Sequence, residues 1–146
     1  VKASGIQVNI ELKTGIYWYP EIEQKVADLV KASGMEDKVI YSSFNHYSIQ
    51  QIKKIVPDAE TAYLYSDVIL NVEDYAKNTG VDGLHPAVYH VKMADFLKEY
   101  LDSGLNVRVW TVNEKEDMEW LIRAGVTAII TNYPDKAVQI KEKVEA

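Results

Sequence analysis

Short runs of β-branched and aromatic residues alternate with longer amphipathic segments along the whole chain. The short runs predict six strands, at Ile6 to Lys13, Val39 to Phe44, Thr61 to Tyr65, Val81 to Leu84, Val107 to Val112 and Thr127 to Thr131. The longer segments predict helices at Glu21 to Ala32, Ser48 to Ile55, Val72 to Asn78, Val91 to Asp102, Glu114 to Arg123 and Asp135 to Val144. Such an alternation predicts an α/β fold, a parallel sheet with helices outside it.

Residues that start and stop helices lie at the predicted boundaries. Pro20 suits a first helical turn, and Asn113 with Glu116 three residues later has the spacing of a capping box. Glycines follow four predicted helices, where left-handed caps are expected: Gly34, Gly80, Gly104 and Gly125. No linker rich in proline, glycine or serine interrupts the pattern, so we expect residues 1–146 to form a single domain.

The turn after the first strand distinguishes two kinds of parallel sheet. An open sheet that binds dinucleotides carries a glycine-rich turn there, whereas this chain has KTGIYWYP, with one glycine and several aromatic residues. In a closed barrel, the inward strand faces end at a rim where polar residues meet substrate. The sequence therefore favours a barrel.

The first strand, with the sequence VNIELK, has one apolar and one polar face. Side chains alternate along a strand, so Asn9, Glu11 and Lys13 share one side, and the apolar residues between them are expected to face helices. Alone, this pattern also fits an exposed ion pair on an edge strand. Polar or aromatic groups end other strands too, in YSSFN, LHP, WTVN and TNYP, where barrel enzymes keep their sites.

Composition narrows the classes of partner and cofactor. The net charge is −6 with Lys and Arg scattered, which argues against nucleic acid. Cysteine is absent, which excludes thiolate sites and disulfides but does not fix the compartment. No apolar run has the length of a transmembrane segment. The first residue is Val1 rather than Met, so we expect sequence to precede it.

Four motifs together resemble one enzyme family. NIELK, YSSFN, VRVWTVN and GVTAIITNYP follow in the order and at the spacing of the C-terminal part of the glycerophosphodiester phosphodiesterase family. The resemblance covers nearly the whole chain and implies a partial TIM (β/α)8-type barrel of about six parallel strands with outer helices, the first two strands being absent. The implied reaction is hydrolysis of a glycerophosphodiester to glycerol 3-phosphate and an alcohol.

The same resemblance assigns roles to individual residues. Glu11 matches a metal ligand for Ca²⁺ or Mg²⁺, and Lys13 matches the lysine beside the phosphate. Trp110 and Phe44 match positions that line the substrate pocket, although a core position for Trp110 is also consistent with its strand pattern. A carboxylate suits a hard cation, and an ammonium on the same side helps to hold a phosphodiester.

The departures from the family pattern predict an incomplete site. The His-Arg-Gly, Glu-x-Asp and His-Asp elements, which carry two catalytic histidines and further metal ligands, have no counterpart here. None of His46, His85 and His90 matches a catalytic position; we expect a loop position for His46, a structural role for His85 and a helix surface for His90. We therefore expect no catalytic residue in this chain and little or no activity from it alone.

Two other interpretations stay open. An incomplete barrel leaves exposed strand edges, which predict a homo-oligomer. The chain could then be a self-associating, non-catalytic scaffold that binds at most a phosphate-like anion. Another barrel phosphodiesterase, such as a phospholipase relative, is the third possibility.

Overall fold

The computed structural model describes residues 2–146; Val1 lies outside the described residues. Its strands are β1 (Val8–Glu11), β2 (Val39–Ser43), β3 (Glu60–Tyr65), β4 (Gly83–Pro86), β5 (Asn106–Val109) and β6 (Ala128–Ile129). Its α-helices are α1 (Ile22–Ser33), α2 (His46–Ile55), α3 (Val72–Asn78), α4 (Val88–Val91), α5 (Phe96–Asp102), α6 (Lys115–Ala124) and α7 (Pro134–Glu145). Short 3₁₀ turns occupy Lys2–Ser4 and Glu36–Lys38. The predicted alternation of strands and helices is confirmed.

The sheet follows the order of the chain. Its strand order is β1-β2-β3-β4-β5-β6, so each strand is hydrogen-bonded to its neighbours in sequence. β1 pairs with β2 in parallel, with Glu11 opposite Ser42, and β2 pairs with β3 in parallel, with Ser43 opposite Tyr63. β5 and β6 are also parallel. Helical crossovers between neighbouring parallel strands are the connection this topology requires.

The described residues divide into two compact units, of which the first comprises residues 2–64 and 74–83. Its core lies where α1 and α2 pack on the sheet, and Ile49, Ile52 and Tyr63 are fully buried there. Helix α1 ends at Gly34, whose φ of 59° is left-handed and whose N–H bonds to the carbonyls of Val30 and Lys31. This is the glycine cap that the sequence predicts.

The second unit comprises residues 65–73 and 84–146. Val107 and Val109 of β5 are fully buried, as are Met118 and Leu121 on the inner face of α6. The spacing of Met118 and Leu121 places them on one side of the helix, so α6 packs through that side. None of the helices in residues 2–146 combines the length and apolarity needed to cross a lipid bilayer.

Two local predictions are wrong for identifiable reasons. Within the predicted helix Val91 to Asp102, Phe96–Asp102 forms α5, whereas Val91 is the last residue of α4. Ala94 between them has a left-handed φ of 43°, which a right-handed helix cannot contain. The predicted Asn113 cap is also wrong. Its side-chain oxygen accepts hydrogen bonds from the Thr131 hydroxyl at 3.2 Å and the Asn132 N–H at 3.0 Å, and Glu114 occupies the N-cap position of α6.

Candidate active site

The charged pair at the end of β1 shares one side of the chain, as strand alternation predicts. The Lys13 ammonium donates to a carboxylate oxygen of Glu11 at 2.8 Å. The Lys13 side chain is 78% exposed and the Glu11 side chain 30% exposed. An exposed ion pair on a flexible lysine stem is weak, so a ligand anion can compete with Glu11 for the ammonium.

The backbone that carries this pair is fixed to β2. Leu12 is buried at 2% exposure, its N–H donates to the Ser42 carbonyl at 2.8 Å, and its carbonyl accepts from the Ser43 hydroxyl at 2.6 Å. The sequence predicts that YSSFN is a polar strand end, but it does not show that the Ser43 hydroxyl donates a hydrogen bond to the backbone of Leu12. We call these two hydrogen bonds the clamp on Leu12. They hold the residues on either side of Leu12 in one orientation.

An open cleft of about 670 Å³ begins at the charged pair. Glu11, Lys13 and Phe44 line it, so three of the four site residues expected from sequence come together. The remaining lining is largely apolar: Leu12, Gly15, Ile16, Tyr17 and Tyr19. A charged end and an apolar wall suit a ligand that combines an anionic group with a less polar moiety.

Trp110 lies in the second unit, directly after β5. Its indole N–H donates to the His85 carbonyl at 2.7 Å, and its backbone N–H donates to the Pro86 carbonyl at 3.1 Å. The side chain is partly exposed. Trp110 is therefore held by β4 in a defined position with part of the ring accessible.

His46 is not the loop residue expected from sequence. It is the first residue of α2, and its ring stacks on Tyr63 with centroids 3.9 Å apart. Its ring nitrogens lie 3.2 Å from the Tyr75 hydroxyl and 3.1 Å from the Leu64 carbonyl, and burial lowers its pKa. Both nitrogens are engaged within the fold, which is the pattern of a structural histidine.

His90 is not on a helix surface either, since it is fully buried. One ring nitrogen of His90 lies 2.8 Å from the Tyr100 hydroxyl, and burial lowers the pKa of His90. His85 is also fully buried, and burial together with the charge of Arg108 lowers its pKa to about 3. Both imidazoles are therefore neutral near pH 7 and shielded from solvent.

The residues present do not by themselves fit a divalent cation. Ca²⁺ and Mg²⁺ need several oxygen ligands, and Glu11 is the only carboxylate among the cleft residues. Within residues 2–146, no group of three or more His, Cys, Asp or Glu residues is arranged to hold a metal ion. Glu11 could serve as one ligand of a site that draws its other ligands from elsewhere.

Comparison with known proteins identifies what this chain resembles. Residues 2–136 match the family model described as the glycerophosphoryl diester phosphodiesterase family. A glycerophosphodiester phosphodiesterase of Caldanaerobacter subterraneus is 37% identical over 93% of this chain and 56% of its own length. One from Bacillus altitudinis is 37% identical over 97% of this chain and 58% of its own length. The chain thus spans somewhat more than half of these relatives.

Solved structures agree with the sequence comparison. The crystal structure of a glycerophosphodiester phosphodiesterase from Parabacteroides distasonis superposes with a TM-score of 0.83 at 26% identity, covering 99% of this chain and 61% of that one. Its fold is that of the TIM-barrel enzymes of this family, which confirms a partial α/β barrel for this chain. The chain belongs to the glycerophosphoryl diester phosphodiesterase family, which is a family of enzymes.

Proposed function

We propose that this chain supplies the phosphate-binding side of an enzyme that hydrolyses glycerophosphodiesters to glycerol 3-phosphate and an alcohol. The observation that carries the proposal is the Glu11 and Lys13 pair at the charged end of the cleft, in a chain that belongs to this family. Residues 1–146 are then one C-terminal portion of the family's barrel.

Lys13 has the clearest role in this proposal. Its ammonium would leave Glu11 and hold a non-bridging phosphoryl oxygen, where positive charge stabilises the negative charge that grows during phosphoester cleavage. The clamp on Leu12 fixes the backbone beside it, so little reorganisation accompanies the exchange of partner. Phe44, which lines the cleft, would contact a less polar part of the substrate, and the substrate-binding role of Trp110 stays a prediction from the sequence.

The cofactor in this proposal is Ca²⁺ or Mg²⁺, with Glu11 as one ligand. Glu11 is paired with Lys13 and has no second carboxylate beside it in the cleft, so the ion would need ligands that this chain does not supply. The metal would supply Lewis-acid polarisation of the phosphoryl group.

The positions of the histidines support the proposal that the chain alone is inactive. A general acid or base must come within hydrogen-bonding reach of the reacting group. Both ring nitrogens of His46 are engaged, and His85 and His90 are fully buried. The proton-transferring groups would therefore come from the part of the family fold that this chain does not match.

A non-catalytic scaffold is the second candidate. β1 stands at one end of the strand order, and an edge strand can pair with another chain. A homo-oligomer formed in this way remains a prediction, and it would bind at most a phosphate-like anion at Lys13.

Hydrolysis assays separate the two candidates. We would measure glycerol 3-phosphate release from a soluble glycerophosphodiester by the chain alone, and by the chain joined to the N-terminal part of the Caldanaerobacter relative that it does not match. The enzyme proposal predicts no release by the chain alone and release by the joined protein that chelator and Glu11→Gln both abolish. Turnover by the chain alone would contradict it. A folded joined protein that is inactive with either metal would favour the scaffold.

A further inference from the structure

The segment after β1 exposes large apolar side chains to solvent. Ile16 is 89% exposed, Tyr17 is 67% exposed and Trp18 is 83% exposed. Tyr47, in the first turn of α2, is 88% exposed. Apolar side chains this exposed and this close in sequence mark an interaction surface. We call residues 15–19 the aromatic loop.

Hydrogen bonds hold the aromatic loop at both ends. The Thr14 hydroxyl lies 2.5 Å from the Ser48 hydroxyl, and the side-chain amide of Asn45 donates to the Thr14 carbonyl at 3.2 Å. At the other end, the Ile22 N–H donates to the Tyr19 carbonyl at 3.2 Å. These bonds fix the loop beside the start of α2, where Tyr47 lies. The exposed tip is therefore a defined feature of the first unit.

The chemistry of the loop fits the interface of a lipid bilayer. Residues 14–20 carry no charge in a chain that is 26% charged, and tryptophan and tyrosine prefer the level of lipid headgroups. The net charge of −6 disfavours an anionic surface. We propose that the aromatic loop docks on the surface of a bilayer made of zwitterionic lipid.

The size of the surface favours a bilayer over a second protein. A stable protein interface takes about 20–30 residues from each partner, whereas the large apolar side chains exposed in the aromatic loop and in the adjoining residues 44–47 are those of Ile16, Tyr17, Trp18, Tyr19, Phe44 and Tyr47. A few aromatic and aliphatic side chains are enough for reversible attachment to a bilayer.

Docking would place the charged pair near lipid headgroups. Ile16, Tyr17 and Tyr19 line the same cleft as Glu11 and Lys13. Apolar groups of interfacial proteins enter a bilayer by about 5–10 Å, which keeps a neighbouring polar site at headgroup level. This inference goes beyond the proposed hydrolysis and concerns where the chain meets its surroundings.

Vesicle sedimentation tests the docking directly. The probe is vesicles of pure phosphatidylcholine, mixed with the 146-residue chain and pelleted. We expect the chain to bind, and the double variant Ile16→Ser/Trp18→Ser to lower the partition coefficient about tenfold or more. The matched control is Leu70→Ser, which removes a side chain that is 87% exposed in the second unit and is expected to bind like the wild type.

Several outcomes would overturn the docking proposal. One is a wild-type chain that stays in the supernatant; another is a double variant that pellets as well as the wild type. Binding that requires anionic lipid would point to electrostatic attachment instead. If the chain forms dimers but does not bind vesicles, and the double variant does not dimerise, the loop would be assigned to contact with a second copy of the chain. Circular dichroism of each variant verifies folding. Since vesicle binding requires no turnover, its absence would leave the hydrolysis proposal standing.

Discussion

Two aromatic regions of this chain have similar composition and opposite environments. The aromatic loop in the first unit holds Trp18 at 83% exposure, whereas Tyr100 in the second unit is 1% exposed. Tyr100 belongs to a packed cluster with Tyr65, His90 and Phe96, in which the Tyr65 and His90 rings meet edge to face at 5.4 Å. Burial raises the pKa of the Tyr65 hydroxyl.

The difference shows what aromatic residues do in each place. In the buried cluster, ring edges pack on ring faces and the Tyr100 hydroxyl meets the His90 imidazole at 2.8 Å, so the residues stabilise the fold. In the aromatic loop, the tip side chains face solvent beside a charged cleft, so we expect their removal to change binding rather than folding. Environment, rather than residue type, separates a structural cluster from an interaction surface.

The largest expected effect separates the two regions by stability. Tyr100→Ala removes a fully buried ring and the partner of His90, so we expect the free energy of unfolding to fall by about 3–5 kcal/mol. Trp18→Ala removes an exposed ring and is expected to change that free energy by less than about 0.5 kcal/mol. Urea denaturation followed by circular dichroism measures both. Similar losses for the two variants would contradict the distinction.

An intermediate effect concerns pH and the buried histidines of the second unit. An unfolded histidine titrates near pH 6.5, whereas folding lowers the pKa of His85 to about 3 through burial and the charge of Arg108. Below about pH 6.5 the unfolded chain binds more protons than the folded one, so stability falls as pH falls toward about 3. His85 is expected to contribute about 1.4 kcal/mol per pH unit to this loss.

His85→Gln isolates that contribution. We expect the variant to lose less stability than the wild type between about pH 6 and about pH 4, whatever its stability at neutral pH. Urea denaturation at several pH values measures the slope. An unchanged slope would mean that His85 does not remain neutral inside the folded chain.

The sequence predicts the repeating elements well because each has its own local signal. The strands β1 to β6 are predicted by apolar runs. The end of α1 is predicted by Gly34, because a glycine accepts the positive φ that a helix cap needs. Strand alternation likewise places Glu11 and Lys13 on one side. These features depend on residues close together in the chain, and periodicity detects them.

Features that depend on distant partners were missed. The sequence predicts that Asn113 caps α6. Its side-chain oxygen instead accepts hydrogen bonds from Thr131 and Asn132, which follow α6 in the chain. His90 has the spacing of a surface residue, yet Tyr100 and Tyr65 bury it. The clamp of Ser43 on Leu12 spans 31 residues and leaves no local pattern. Tertiary contacts decide such positions.

Lys13, two residues after β1, is proposed to bind the phosphate group of the substrate. Titration of sn-glycerol 3-phosphate into the 146-residue chain, followed by amide chemical shifts, tests it most directly. We expect shift changes centred on residues 11–15, and an affinity about tenfold lower for Lys13→Gln, because a charge-assisted hydrogen bond is lost. Lys54→Gln, which removes an exposed lysine of the same unit, is expected to bind like the wild type. Equal affinity in the two variants, or shift changes confined to other residues, would contradict the account.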